Sequence, residues 1–273
     1  MRTTRSQWRQ CCLMLLTCSV ALGAAACGDD DNNPGGGFGP PETEGLPTAD
    51  ALRQALQAAV GQTNGGLGFQ MWATVVDRSG IVVDVVFSGA GYGDQWLLSR
   101  VISAQKASTA NGLSLDGFAI STANLWAPTQ PGGSLFGLQE SNPVDPGLAY
   151  EGNAATFGTA SDPMIGKRIG GVNVFGGGLA LYNAAGQKIG AVGVSGDTSC
   201  ADHNIAWRVR DALGLDYVPA GVADGNTTDN IVYDVDADGH SAGGFGHPEC
   251  SPESTSIGQQ LPVTNPVSSP PAT

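Results

Sequence analysis

Basic residues are scarce in this sequence. Lysine and arginine together number 12, against 25 aspartates and glutamates, and only 14% of all residues are charged. Without the first 26 residues, which hold three arginines and no acid, nine basic residues face 25 acidic ones, a net charge of −16. A surface this acidic argues against nucleic acid and against anionic lipid headgroups as electrostatic partners.

Long unbroken apolar runs are absent as well, which argues against a transmembrane helix. The apolar stretch over residues 11–21 is short, follows three arginines and precedes three alanines and Cys27. This pattern predicts a secretory signal peptide over residues 1–26. Small residues directly before a cysteine resemble a bacterial lipobox, so we expect Cys27 to carry lipid; an ordinary cleavage site with an incidental cysteine is the alternative. The protein would then be lipid-anchored in the cell envelope, in the periplasm or at the outer membrane, with the lipid as its only membrane attachment.

Cysteine is limited to six positions. Three leave with the signal peptide and Cys27 takes the lipid, so Cys200 and Cys250 remain as one pair in an oxidising compartment. We therefore predict a disulfide between them, which ties the C-terminal part of the chain to the start of a helix. A His-x-x-Cys metal site that includes His247 is the alternative.

Composition divides the rest of the chain into segments. Residues 27–47 are rich in glycine and acidic residues and predict a flexible tether. Residues 48–215 carry the periodic apolar patterns of a folded domain, and residues 216–250 extend it. Residues 251–273 are rich in serine, proline and threonine and predict a disordered tail.

The pattern of the folded domain predicts an α+β fold. In order, we expect a helix capped by Thr48, a hairpin over 71–87, a helix over 95–110, an irregular insertion over 121–168, a second hairpin over 179–194 and a last helix. Adjacent hairpins favour an antiparallel sheet with helices packed on it.

The most informative stretch is residues 187–215. It predicts a buried strand over 189–194, a glycine turn, and an amphipathic helix that begins at Thr198 or Ser199. Asp202 falls in the first turn of that helix, on its apolar face, where the helix dipole and free backbone N–H groups stabilise a carboxylate. We expect Asp202 to point back toward the glycine turn and to form the wall of a site.

The helix over 95–110 offers a second set of polar groups. Its apolar face becomes polar toward the C-terminal end, at Ser108 and Thr109, with Lys106 at the edge. Such a face either borders a pocket or emerges into water, and Lys106 would either lean over the pocket or face solvent.

Two further patterns have their own chemistry. Asp234, Asp236 and Asp238 match the first half of a calcium loop, but the acid expected at its twelfth position is Phe245, which leaves a partial calcium site or an acidic turn. The segment around Ser195 has Asp197 where a nucleophile elbow has its final glycine, and no histidine stands in the expected order with other support. We therefore do not predict a serine hydrolase from it.

Four stretches, in this order, resemble the GlcG/HbpS-like haem-binding family, also called haem-degrading domains. They are the helix over 51–60 followed by the Trp-Ala-Thr-Val-Val-Asp-Arg-Ser-Gly run from residue 72, Gln-Lys-Ala-Ser-Thr-Ala from residue 105, Gly-Gly-Gly-Leu from residue 176, and Gly-Ala-Val-Gly-Val-Ser-Gly from residue 190 with Asp202 after it. The match covers about residues 48–215. It implies a five-stranded antiparallel sheet flanked by helices, assembly into homo-oligomers and, in some members, binding of haem or related tetrapyrroles.

The glycine-rich loops and the polar end of the second helix indicate where a haem would bind. In this interpretation the pocket would be lined by the loops 88–93, 131–138 and 170–178 and by helix residues 105–110. Glycines in these loops permit close backbone approach, although they also suit sharp turns.

We therefore expect a haem- or tetrapyrrole-binding protein. Lys106 would be the cation for a propionate, with Ser108, Thr109 and Asp202 beside the ligand, and His203 would be either an axial ligand or a surface histidine. One alternative is an enzyme or accessory protein acting on a small hydroxy or keto acid, with Lys106 binding its carboxylate and Asp202 as the base. The other is a non-catalytic oligomeric interaction module.

Overall fold

The protein has an α+β fold, described here by a computed structural model for residues 39–269. The strands are β1 Trp72–Asp77, β2 Val82–Phe87, β3 Gly178–Tyr182 and β4 Lys188–Ser195. The helices are α1 Ala49–Val60, α2 Ser99–Leu113, α3 Trp126–Thr129, α4 Leu138–Ser141, α5 Pro146–Ala149, α6 Ser199–Ala212 and α7 Pro252–Thr264. Single 3₁₀ turns span Ala123–Leu125 and Ala154–Thr156. The predicted signal peptide, the lipidation site Cys27 and most of the tether lie outside the described residues.

The four strands form one antiparallel sheet in the order β2-β1-β4-β3. The antiparallel arrangement is confirmed, but the expected fifth strand is not present within residues 39–269. The insertion after α2 forms short helices interrupted by prolines, and its backbone pairing includes an isolated bridge between Val144 and Gly170 and hydrogen bonds of Gly166 and Lys167 with Val82 at the edge of the sheet. Proline supplies no ladder donor, so this segment is unsuited to a central strand.

Side chains alternate between the two faces of the sheet, and each face carries a hydrophobic core. On one face, Ala73 and Val75 of β1 pack with the apolar sides of α1 and α6. On the other face, Trp72 and Val76 pack with the alanines of α2. Because successive side chains of a strand point to opposite faces, one sheet serves two helical layers.

Helix α2 lies unusually close to β4. A Cβ atom at Gly193 would stand 1.9 Å from the carbonyl oxygen of Ser103, so only glycine permits this approach. On the adjacent strand, the hydroxyl of Thr74 is 2.7 Å from that of Ser103. The close packing brings the polar side of α2 directly over the end of β4, where the site forms.

A local signal sets the start of α1 but not that of α2. The Thr48 hydroxyl accepts a hydrogen bond from the Ala51 amide, as expected of an N-cap. The start of α2 differs from that of the helix predicted over 95–110, because Asp94, a cap-type residue directly before residue 95, does not cap it. Its carboxylate accepts hydrogen bonds from the amides of Ala90 and Gly91 within the preceding loop, and the helix begins at Ser99.

The prediction of a disordered tail over 251–273 is wrong for most of that segment. Residues 252–264 form α7, which begins with a capping box between Ser251 and Ser254. The helix packs against α6 and buries Leu261 completely. The tail composition concealed a helix because its N-terminal signal consists of the same serines and prolines that favour disorder.

The extension over 216–250 folds back onto α6. The predicted disulfide joins Cys200 in the first turn of α6 to Cys250. A second tie is the fully buried ion pair between Arg210 and Asp229, whose two hydrogen bonds measure 2.8 and 2.7 Å. Within residues 39–269, none of the helices has the length and apolar character needed to cross a bilayer.

Candidate functional site

A buried ion pair lies where α2 meets the first turn of α6. Lys106 Nζ is 2.6 Å from Asp202 Oδ2 and 3.0 Å from the carbonyl oxygen of Val194, at the end of β4. The other carboxylate oxygen of Asp202 accepts a hydrogen bond from the Asp197 amide at 2.8 Å. As the sequence predicts, Asp202 points back toward the glycine turn.

Burial changes the acidity of both partners. It raises the pKa of Asp202 to about 6 and lowers the pKa of Lys106, since each loses the solvation of its charged form. Both side chains are almost completely shielded from solvent. Lys106 therefore neutralises Asp202 inside the protein and is not the exposed cation that the propionate hypothesis requires.

A pocket of about 220 Å³ opens above this pair. Its lining consists of Trp96, Ser99, Ile102, Phe175, Ser195, Asp197, Ser199 and Asp202. The side chains of Trp96 and Phe175 are 51% and 52% exposed, and the ring of Phe69 lies 5.0 Å from that of Trp96. We call these three residues the aromatic rim.

Further apolar side chains are exposed next to the rim along the chain. Leu67 precedes Phe69 by two residues, and Leu97 and Leu98 directly follow Trp96; all three leucines are more than half exposed. Clusters of exposed large apolar side chains mark binding surfaces in soluble proteins. The aromatic rim is thus a surface suited to an apolar ligand.

A second cleft contains the other residues singled out in α2. It measures about 230 Å³ and is lined by Ser108, Thr109, Gly112, Leu113, Leu138, Asn142, Gly170, Gly171 and Val172. The structure thus joins the polar end of α2 to the loops at 131–138 and 170–178, but the loop at 88–93 does not contribute. Thr109 Oγ1 donates to the Gln105 carbonyl and accepts from the Asn173 amide, so its hydroxyl is engaged in the fold.

His203 lines neither pocket. Its side chain is fully buried, and Nε2 lies 3.1 Å from the Ile231 amide and 3.2 Å from the side-chain oxygen of Asn230. Burial lowers the pKa of His203 to about 4. The interpretation of His203 as a surface histidine is therefore wrong, and the residue is not positioned to reach a ligand in either of these two pockets.

The structure reveals a contact that the sequence did not suggest. Ser199 Oγ lies 2.7 Å from His247 Nε2 and accepts a hydrogen bond from the Gly176 amide, also at 2.7 Å. His247 Nδ1 donates to the carbonyl of Pro248 at 2.6 Å. The only sequence signal was indirect: His247 precedes Cys250 by three residues, and that cysteine is bridged to the residue after Ser199.

The calcium prediction is not supported. The carboxylate of Asp234 accepts from the Ser241 hydroxyl and the Gly243 amide, and Asp236 accepts from the amides of Asp238 and His240. The carboxylates of Asp234 and Asp236, two of the three in the motif, thus act as hydrogen-bond acceptors within the turn.

Metal-ligating side chains gather elsewhere. Within residues 39–269, the one group of three or more such side chains that come together is Cys200, His247 and Cys250, whose ligand atoms lie within 4.8 Å of one another. Because the two sulfurs form the disulfide, they do not offer thiolates to a metal.

Comparison with known proteins places this fold in a family. Residues 47–210 match the family model described as haem degrading protein HbpS-like, and the chain belongs to that family. The resemblance found in the sequence is therefore confirmed. The extension, with His247, and α7 lie outside the matched range.

Individual solved structures are more distant. Klebsiella pneumoniae protein ORFY is 27% identical, with 61% of this chain and 90% of that chain covered and a TM-score of 0.40. The protein in the PduOC:heme complex is 23% identical, with 63% and 94% covered and a TM-score of 0.42. HbpS is 17% identical, with 60% and 86% covered and a TM-score of 0.36. None of the curated proteins matches this chain.

Proposed function

We propose that this protein binds haem or a related tetrapyrrole at the aromatic rim. The observation that carries the proposal is the pair of half-exposed rings, Trp96 and Phe175, that line one pocket in a chain of the HbpS-like family. A tetrapyrrole is a flat and largely apolar macrocycle, and stacking on aromatic faces is favourable beyond the area that it buries.

The polar groups of the pocket suit only one orientation of such a ligand. Asp202 is neutralised by Lys106, and Asp197 accepts hydrogen bonds from the amides of residues 67–69. Neither group offers positive charge to a propionate. The propionates would therefore point toward solvent, and the hydroxyl groups of Ser195 and Ser199 would be the oxygen donors nearest the macrocycle.

The cellular location belongs to the same proposal. We infer from the leader pattern that the protein is exported and anchored by lipid on Cys27 in the cell envelope, on the periplasmic side or at the outer membrane. Metabolic labelling with an alkyne fatty acid would attach lipid to the parent protein and not to Cys27→Ala. Labelling of both proteins to the same extent would contradict the anchor.

The binding proposal is tested by titrating the mature protein with haemin and recording the visible spectrum. We expect a saturable Soret shift, and a double variant Trp96→Ala/Phe175→Ala should bind at least about a hundredfold more weakly, because each lost aromatic contact removes about 1.5–3 kcal/mol of apolar burial and two are lost. Phe136→Ala is the matched control, since Phe136 is 64% exposed but lines neither pocket described above. Non-saturating absorbance, or equal weakening by the control, would refute binding at the rim.

The hydroxy-acid enzyme alternative gains no support from the site. Lys106 and Asp202 were to bind and deprotonate such a substrate, yet they are buried and paired with each other. A protein that assembles into a homo-oligomer without binding haemin would favour the interaction-module alternative.

A further inference from the structure

We propose that Ser199 and His247 form a nucleophile–base dyad that hydrolyses small carboxylic esters, an activity beyond haem binding. Ser199 lines the pocket beside the aromatic rim, and its hydroxyl is within hydrogen-bond distance of an imidazole nitrogen. A serine and a histidine in this relation are the two groups that acyl transfer requires first.

The tautomer of His247 suits the role of base. The carbonyl of Pro248 can only accept, so Nδ1 carries the proton and Nε2 presents its lone pair to the Ser199 hydroxyl at 2.7 Å. Here a backbone carbonyl orients the imidazole, where many serine hydrolases use a carboxylate. Burial lowers the pKa of His247 to about 4, so the ring is neutral at pH 7 and its Nε2 lone pair is available, as a weaker base than an exposed histidine.

The surroundings of Ser199 favour attack on a carbonyl. Ser199 is the first residue of the 14-residue helix α6, so negative charge that develops at the attacked carbonyl oxygen lies near the positive end of the helix dipole. The apolar wall next to it consists of Trp96, Ile102 and Phe175. A pocket of about 220 Å³ suits a short acyl or aryl group.

The base comes from a part of the chain that the family model does not match. His247 lies in the extension, whereas the match ends at residue 210. The disulfide between Cys200 and Cys250 fixes the end of the extension next to Ser199. The activity would therefore be an addition to the family domain.

The reaction balances with water as the only co-reactant. The Ser199 hydroxyl proton passes to His247 Nε2 as Oγ bonds to the ester carbonyl carbon, and the bond to the alcohol breaks as the leaving oxygen takes that proton. Water then attacks the acyl-serine ester and gives up a proton to Nε2. That proton returns to Ser199 Oγ as the carboxylic acid leaves.

The test uses diisopropyl fluorophosphate on the mature, disulfide-bonded protein. Attack by Ser199 Oγ on phosphorus expels fluoride, and peptide mass mapping locates the adduct. We expect one adduct, at Ser199, and turnover of p-nitrophenyl butyrate. Ser199→Ala should lose the adduct and the turnover. His247→Gln should slow phosphorylation of Ser199 by about 10²–10⁴-fold, the usual contribution of a positioned base.

Two exposed residues serve as controls. Ser141→Ala and His240→Gln remove the same side chains from positions outside the pocket and should leave both rates unchanged. Thermal melts of all variants establish that they fold. An adduct at another residue, no adduct in the folded parent protein, or an unchanged labelling rate in folded His247→Gln would each overturn the dyad.

Discussion

Replacing Lys106 by methionine tests the buried charge pair at the centre of the site. Methionine keeps most of the side-chain volume but leaves the Asp202 carboxylate without its partner. With an effective dielectric constant of about 20, two unit charges at the observed 2.6 Å attract each other by about 6 kcal/mol. Because desolvation of both groups offsets part of this attraction, we expect Lys106→Met to lower the free energy of unfolding by about 3–5 kcal/mol.

The double variant Lys106→Met/Asp202→Leu separates the charge effect from packing. It removes both charges together, so we expect it to be close to the parent protein in stability or more stable by about 1–4 kcal/mol. Urea unfolding at pH 8, followed by tryptophan fluorescence, gives the free energies. A loss below about 1 kcal/mol in the single variant would refute the argument, as would a double variant less stable than the single one.

The pH dependence supplies an independent check on Lys106→Met. Without the lysine, the pKa of Asp202 should rise above its value of about 6, because the attraction that favours its charged form is lost. The carboxyl would then take up a proton in the folded state, and the destabilisation should shrink as the pH falls from 8 to 5. A destabilisation of constant size over this range would show that lost packing, not unpaired charge, is its cause.

Three further predictions concern stability away from the pair. Burial lowers the pKa of His203 and of His247 to about 4, so between pH 6.5 and 4 these rings bind protons in the unfolded chain but not in the folded one. Stability should therefore fall as the pH drops through this range, against the opposite effect of Asp202. The urea midpoint of His247→Gln should fall less than that of the parent protein. Reducing the disulfide between α6 and the extension should cost about 4 kcal/mol by the chain-entropy account, since it closes a 50-residue separation, and a thermal melt with and without reductant measures this. Leu261→Ala should cost about 2–5 kcal/mol in urea unfolding, because Leu261 is fully buried; a loss near zero would contradict the packing of α7.

The parts of the fold that sequence reasoning found are those with local signals. Thr48 before an amphipathic run predicted α1, and the glycine-bounded strand before Ser199 predicted β4 and α6. Asp202 was placed correctly because its position depends only on helical periodicity within one turn. The pairing of Cys200 with Cys250 followed from counting cysteines.

The parts that it missed depend on contacts between distant segments. Lys106 and Asp202 are 96 residues apart, and each was assigned a role toward a ligand because neither reveals its partner in the sequence. Ser199 and His247 meet only because the extension folds back. The fifth strand was expected from family resemblance alone. Helix α7 was missed because the prediction for that segment used its content of serine and proline and not the order in which they occur.

The position of the disulfide also bears on how quickly the chain finds its native state. Ser199 and His247 are 48 residues apart, and contacts between such distant segments are slow to form because a long loop must close first. With the sulfurs already joined, that loop is closed in the unfolded chain, and the two residues start as neighbours across a covalent link. Refolding from urea should therefore be faster for the oxidised chain than for the reduced one, and recovery of the extension should be the step that oxidation accelerates.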